Sequence, residues 1–551
     1  MSAHRIACLH GLDGSFAAIA RVLWTICRRL TITLTAANIG RSVRRAGAPA
    51  VNPREVTMCS ASWMDRRAVP LVLTLTLFAV ACTDSTSGPV STRVGLPDVV
   101  AAAQAGKVDI CHVAGAQANI LEVGAPALGE HLSHGDYVTT LRVSRQSGPA
   151  GDGIHFNRIG AALDAARAGR LARGELMTAA CRITIVASAE LYPGSTATDS
   201  PDEERFPMIV DVPDLTLRGA LAMDLDASGR VLGSNATTGE TTLAPTVPLP
   251  FEGGVSTPLI IANAHPGGSA GNGLVVEGFV FRSGHSGVGT DAGGQGVLAV
   301  RVRDLVVRGN RFEAGFTESI DLRATSGDVV QNQLGGTAGT CDVCLAGPGR
   351  YRANGNKLAA GGIPGMTVSG MVGLPVPSGV EPLALTPTAE TWAEIRNNEV
   401  RDHLRTPVGV GLRVEAVGTM APNVRNTIHA VLQDNLLVNN RFGMIVHAGF
   451  PVAGSALQAD VSVRLGGNAI QQSCQAKLLV TLSRHQRSLG LNPNPPYLLD
   501  SNYRLELGGD LSWDAVWFDH PAGLGNSLIV DGATISNGAR HFYSATGCPG
   551  L

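Results

Sequence analysis

The chain has 551 residues, of which 16% are charged and 4% aromatic, with 67 glycines and a formal net charge of −2. Helical bundles need many charged outer faces and nucleic-acid binders need a basic surface, so this balance argues against both. It suits an all-β chain of many short strands and turns, where glycine supplies positive φ without steric cost.

Residues 1–63 hold scattered arginine pairs, Cys8, Cys27 and Cys59, and no sustained periodicity; they are expected to be an over-extended, unstructured start. At Met64 the pattern changes. Asp65, Arg66 and Arg67 form a short basic segment, Ala68 to Phe78 an apolar run, and Ala79 and Ala81 supply small residues ahead of Cys82. The run falls short of the ~20 residues that cross ~30 Å of hydrocarbon, so 64–82 reads as a signal peptide rather than an anchor helix. Its end, "AVAC", resembles the lipobox of bacterial lipoproteins, although Ala79 stands where that family usually has leucine. The resemblance implies that Cys82 is lipidated, with Thr83 after it favouring passage to the outer membrane. The expected location is the bacterial cell envelope, as an outer-membrane lipoprotein or secreted protein touching the membrane only through lipid. Residues 83–104, opening "TDSTSGPVST", read as a flexible linker.

Residues 105–148 form a small cysteine–histidine module containing "KVDICHVAGAQANILEVGAPALGEHLSHGDYV". Cys111, His112, His131 and His134 are soft and borderline ligands that could close a zinc site, with Asp136 as an outer acceptor. His131 and His134 sit three apart and share a face on a helical turn. Cys111 and His112, by contrast, are neighbours that a strand points to opposite faces, which leaves a disulfide at Cys111 as the competing reading. The "ICH" opening and "HLSHGD" close resemble a short module of secreted bacterial proteins whose role the resemblance does not supply.

From residue 150 onward the chain repeats itself. "GDGIHFNRIGAALDAARAGR" predicts an amphipathic helix with Ile159, Leu163 and Ala166 on one face, followed by strand-forming "CRITIVASAELYPGS". "LVVEGFVFRSG" (274–284) and "LVVRGNRFEAG" (305–315) align residue for residue, and weaker copies follow to "LIVDGATISNG" from Leu528. Each is a short apolar alternation, a Gly or Asn corner, and a second short strand. One such coil cannot bury its apolar face alone, so many must stack. Stacked Asn310, Asn332 and Asn356 would bond along the ladder at a buried bend. A helix opening such an array resembles the N-terminal cap of the pectate-lyase-like superfamily. The expected fold for 150–551 is an all-β, right-handed, single-stranded parallel β-helix solenoid with an N-terminal capping helix, its Pro-rich inserts (229–258, 361–388, 484–500) walling a groove.

Aligning strands on the corner asparagine puts Val300, Leu322 and Ala346 inward, above Leu298, Ile320 and Cys344. Arg301, Asp321 and Arg323 then point outward, joined by Arg413 and His447. Asp321 and Arg323 are the candidate catalytic pair, and Arg301, Arg413 and His447 the candidate substrate-binding groups, the arginines suiting uronate carboxylates. Arg323 would serve as a base only with a greatly lowered pKa. A lyase would also need a cation such as calcium, for which Asp321 alone is no cage. No carboxylate pair suited to glycoside hydrolysis stands out. Asp402 beside His403, and Asp519 beside His520, face opposite ways on a strand. "CDVC" (341–344) reads as a local disulfide or two inward-stacked thiols. The favoured function is therefore an envelope-anchored protein that binds polysaccharide or another cell-surface component without catalysis. The alternative is a polysaccharide lyase or glycoside hydrolase acting in a groove.

Overall fold

The computed structural model describes residues 107–541 except 115–116, 147–152, 175–179, 197–199, 236, 250, 253–254, 264–270, 287–292, 337–338, 340, 360, 362–363, 371–387, 405–408, 417–424, 449–456, 482–498 and 520–526. The signal segment, Cys82, the linker, His520 and most of the inserts at 361–388 and 484–500 lie outside the described residues.

A single coil shows why the sequence winds. Strand Gln295–Val300 runs into a corner where Arg301 and Asp304 take left-handed φ of 59° and 57°. Strand Leu305–Arg308 follows, then a second corner at Gly309 and Asn310, then strand Arg311–Phe312. The next coil begins at Glu318, directly alongside, with Val297 paired to Ile320 and Ala299 to Leu322. Repetition of this path builds three sheets of fourteen, ten and eleven strands among the described residues. Pairing between coils is parallel, and antiparallel strands close the far end at Ala533–Ile535 and Arg540–His541. The architecture is the parallel β-helix that the repeats predict. The two aligned copies stack in the register of the alignment, Val275 on Val306 and Phe281 on Phe312, and the two phenyl rings stack with centroids 4.6 Å apart.

The interior is a continuous apolar column. Val297, Ile320, Val343, Met366, Leu412, Met444, Leu478 and Val516 occupy one inward file, each nearly or wholly buried. Each such side chain contributes roughly 1.5–3 kcal/mol relative to exposure. At the second corner an asparagine ladder replaces apolar packing. From Asn310 through Asn332, Asn356, Asn398 and Asn435 to Asn468, each residue's main-chain N–H and side-chain amide donate to the Oδ1 one coil on, at 2.9–3.1 Å. The remaining amide hydrogen goes to a strand carbonyl, as from Asn332 to Val307. Asp510 ends the ladder by accepting from Asn468. The left-handed conformation falls on the residue before each asparagine, such as Gly355 (φ 68°) or Asn397 (φ 54°), and not on the ladder asparagine itself.

Helix α1 (Ala125–Ser133) belongs to the small N-terminal module, and helix α2 (Ile159–Ala172) covers the first coils. Ile159, Ala162, Leu163 and Ala166 of α2 face the core, as the periodicity predicts. Arg158 at its N-cap makes no side-chain cap bond; the distant Glu204 carboxylate instead accepts from the amides of Ile159 (2.5 Å) and Gly160 (2.9 Å). In the last turn the fully buried Arg170 donates to the Cys181 carbonyl and the Tyr137 hydroxyl and lies 4.6 Å over the Tyr137 ring.

Candidate active site

The outer face of the eleven-stranded sheet carries a run of buried polar side chains, among them Asp321, Arg323, Arg413, Glu415 and His447. Its strands carry an irregularity that sequence alternation does not show. A side chain at Gly296 would collide with the Phe312 ring of the interior, and the next residue, Val297, also faces inward. Two consecutive inward residues put both Gln295 and Leu298 outside, and the same offset recurs in step on the next coil, where Glu318 and Asp321 stand in register with them. Three outward files result. The first carries Gln295, Glu318 and Cys341; the second Leu298, Asp321, Cys344, Thr367 and Arg413; the third Val300, Arg323, Ala346, Ser369, Glu415 and His447.

This corrects the sequence-derived alignment. Ala299, Leu322 and Leu345 share the inward file, whereas Val300, Ala346, Leu298 and Cys344 face out. Arg301 leaves the face altogether, because it occupies the left-handed corner after the strand. Cys341 and Cys344 form a local disulfide.

Asp321 and Arg323 lie side by side, buried and ion-paired to each other. Arg323 Nε donates to Asp321 Oδ2 at 2.8 Å, and Gln295 Nε2 donates to the same oxygen at 2.9 Å and to Glu318 Oε2 at 3.2 Å. Although burial disfavours its charge, the neighbouring Asp321 and Glu318 carboxylates hold the Arg323 guanidinium above its ordinary value. The arrangement holds it as a guanidinium paired with Asp321.

Three coils further on, Arg413, and His447 from the coil after it, converge on a residue that the sequence pattern alone does not single out, Glu415. His447 Nε2 is 3.0 Å and Arg413 Nε 3.3 Å from Glu415 Oε2. All three are at most 9% exposed. Burial pushes the Glu415 carboxyl up, but the charge of Arg413 and the contact with His447 outweigh it, leaving its pKa below the ordinary value. Around the trio, the buried hydroxyls of Thr367 and Thr481 have no hydrogen-bond partner, and on the preceding coils neither does Asp321 Oδ1. Glu415 has a sequence signal in hindsight: in "GLRVEA" it stands two residues beyond Arg413, on the same side of the strand. Asp402 and His403 part company as expected. Asp402 accepts from Asn439 at 2.7 Å, while His403 Nε2 sits 3.0 Å from Asp342 in a fully buried pair.

A separate open groove of about 800 Å³ crosses the fourteen-stranded sheet, lined by Arg350, Trp392, His429 and Arg464 among others. Its Asp328, Glu394 and Glu506 carboxylates face arginines. The eleven-stranded face differs from this groove in that its charges are buried and several of its polar atoms lack partners.

In the module, the structure removes Cys111 from the expected ligand set, because it is disulfide-bonded to Cys181 and packs into the core. His134 caps the end of α1 and lies outside the cluster that does form. That cluster is His112, His131 and Asp136, which together could coordinate a metal ion.

No protein-family model and no characterised protein sequence matches the chain. Among solved structures, it is similar to a hyperthermoactive exopolygalacturonase from Thermotoga maritima, at 8% identity and a TM-score of 0.31, over 70% of this chain and 90% of that one. It is also similar to the A-module of a mannuronan C-5 epimerase from Azotobacter vinelandii, at 11% identity and a TM-score of 0.26, over 71% of this chain and 92% of that one.

Proposed function

We propose that the chain is a polysaccharide-cleaving enzyme of the cell envelope, acting by β-elimination on an acidic sugar polymer laid along the eleven-stranded face. The buried Arg413–Glu415–His447 trio carries this reading. With its pKa depressed, Glu415 is the anion that orients the imidazole, so His447 is the group that exchanges protons. In the proposed step His447 takes the proton α to a uronate carboxylate, the electron pair forms the C=C bond as the β C–O bond to the next sugar breaks, and the departing oxygen takes a proton from water. Arg413 pairs with the uronate carboxylate and withdraws charge as the proton leaves. Thr367 and Thr481 offer hydroxyls to the sugar. The sequence alone favoured binding without catalysis because no dyad was visible in it; the meeting of Glu415 with His447 changes that preference.

One observation favours a second reading. The Gln295 amide donates to both Glu318 and Asp321, so two carboxylates share one donor on this face, and glycoside hydrolases work with a pair of carboxyls. Incubating the chain with a panel of acidic and neutral polysaccharides, with and without calcium, separates the cases. Ultraviolet-absorbing unsaturated products support elimination. New reducing ends without that absorbance support hydrolysis at Glu318 and Asp321. Binding with no new ends overturns both. The envelope address belongs to the same proposal, and labelling of Cys82 with a fatty-acid analogue tests it.

A further inference from the structure

The N-terminal module is built so that three separate pieces of chain meet at one point. Strand Val108–Ala114 pairs antiparallel with Gln117–Val123 and places Cys111 inward and His112 on the opposite side. The Cys111–Cys181 disulfide anchors that strand one residue from His112. Helix α1 presents His131 in its last turn. The chain then reverses at Gly135, whose φ of 88° suits glycine, and the Asp136 amide donates back to the His131 carbonyl at 3.2 Å. This turn is the physical content of "HLSHGD": it returns a carboxylate beneath the helix that carries the histidine.

The side chains converge accordingly. Asp136 Oδ2 lies 2.8 Å from His112 Nδ1 and 2.9 Å from His131 Nδ1, and the two rings sit edge to face at 5.3 Å. Asp136 Oδ1 also accepts from the Val113 amide at 3.4 Å. The Asp136 side chain is only 2% exposed, whereas those of His112 and His131 are 34% and 26% exposed. A buried carboxylate thus faces two imidazoles that reach solvent. One ligand atom from each residue falls within 4.8 Å of the others.

We infer that His112, His131 and Asp136 form a binding site for one divalent transition ion of the zinc class. Two imidazole nitrogens and one carboxylate oxygen are the borderline donor set that zinc and cobalt(II) accept, with Zn–N and Zn–O near 2.0–2.2 Å. Calcium and magnesium call for all-oxygen cages, which this set does not provide. Three protein ligands at a partly open surface leave coordination positions for water or a small ligand. The inference does not depend on the polysaccharide reading, since it concerns a different part of the molecule.

The test uses the full chain, stripped with a chelator, dialysed and titrated with cobalt(II) and then zinc. One cobalt per chain, with a visible d–d spectrum that zinc abolishes, is the expected result. His112→Ala and His131→Ala should each weaken binding at least a hundredfold, while His134→Ala should leave it unchanged. Imidazole nitrogen NMR on the wild-type chain guards against misfolded variants: two histidine signals should shift on adding zinc. Retention of less than a tenth of an equivalent at micromolar metal would overturn the site, as would unchanged binding in the His112→Ala/His131→Ala double variant. Zinc that leaves every imidazole signal in place would show that the trio is only a hydrogen-bonded clasp.

Discussion

Two rows of buried polar side chains run along this solenoid, and they differ in one respect. In the asparagine ladder every amide hydrogen finds an acceptor, coil after coil, and Asp510 terminates the run. On the outer face of the eleven-stranded sheet the polar groups are as deeply buried, yet Asp321 Oδ1, Thr367 Oγ1 and Thr481 Oγ1 have no partner. A closed row returns its desolvation cost in hydrogen bonds and stabilises the fold. An open row leaves that cost outstanding, which is reasonable where a ligand is to complete it.

The comparison can be broken most sharply at His447. His447→Ala should reduce polysaccharide cleavage about 10²–10⁴-fold, the usual worth of a positioned acid–base group, with little change in the circular dichroism spectrum. An equal loss of activity and of folded structure would make the outer row structural after all. The ladder should respond in the opposite sense. Asn356→Leu removes the Oδ1 that receives the Asn332 amide and main-chain N–H. It should cost about 3–5 kcal/mol in denaturant unfolding, because buried donors are left unmade, without any specific effect on cleavage.

Acid sharpens the contrast more gently. Glu277 lies between Arg218 and Arg308, and despite the opposing effect of burial those partners lower its pKa below 4.5. A depressed carboxylate contributes stability that is complete above the unfolded value and is lost as pH falls through the lower folded value. Stability should therefore decline on acidification below about pH 4.5, and Glu277→Gln should flatten that decline by roughly 1 kcal/mol between pH 7 and pH 3. The raised Glu204 behaves oppositely, its contribution being present below pH 4.5 and lost as pH rises through the folded value. Smallest of all is the exposed Arg352–Asp328 pair at 2.6 Å. Arg352→Ala should shift unfolding by less than ~1 kcal/mol, and less still in high salt.

Much of the fold was legible because its determinants repeat. Val275 and Val306, or Phe281 and Phe312, occur in the same local context, and stacking simply places like on like. The capping helix was legible from the spacing of Ile159, Leu163 and Ala166. Less of the candidate site could be read. The consecutive inward positions Gly296 and Val297 break the alternation on which the outward residues were assigned, and glycine at that position signals nothing by itself. Glu415 and His447 are 32 residues apart, and only the coil-to-coil register makes them neighbours.

The sequence alone determines the repeating coil, the asparagine corner and the helix that closes one end, since each depends on residues within one or two turns of chain. Which polar side chains meet is a tertiary decision. Glu415 with His447, Glu318 with Asp321 through Gln295, and His112 with His131 and Asp136 are brought together by coil-to-coil register, local turns and a disulfide. Those features act between segments, and a linear pattern of residue types does not encode distances across them.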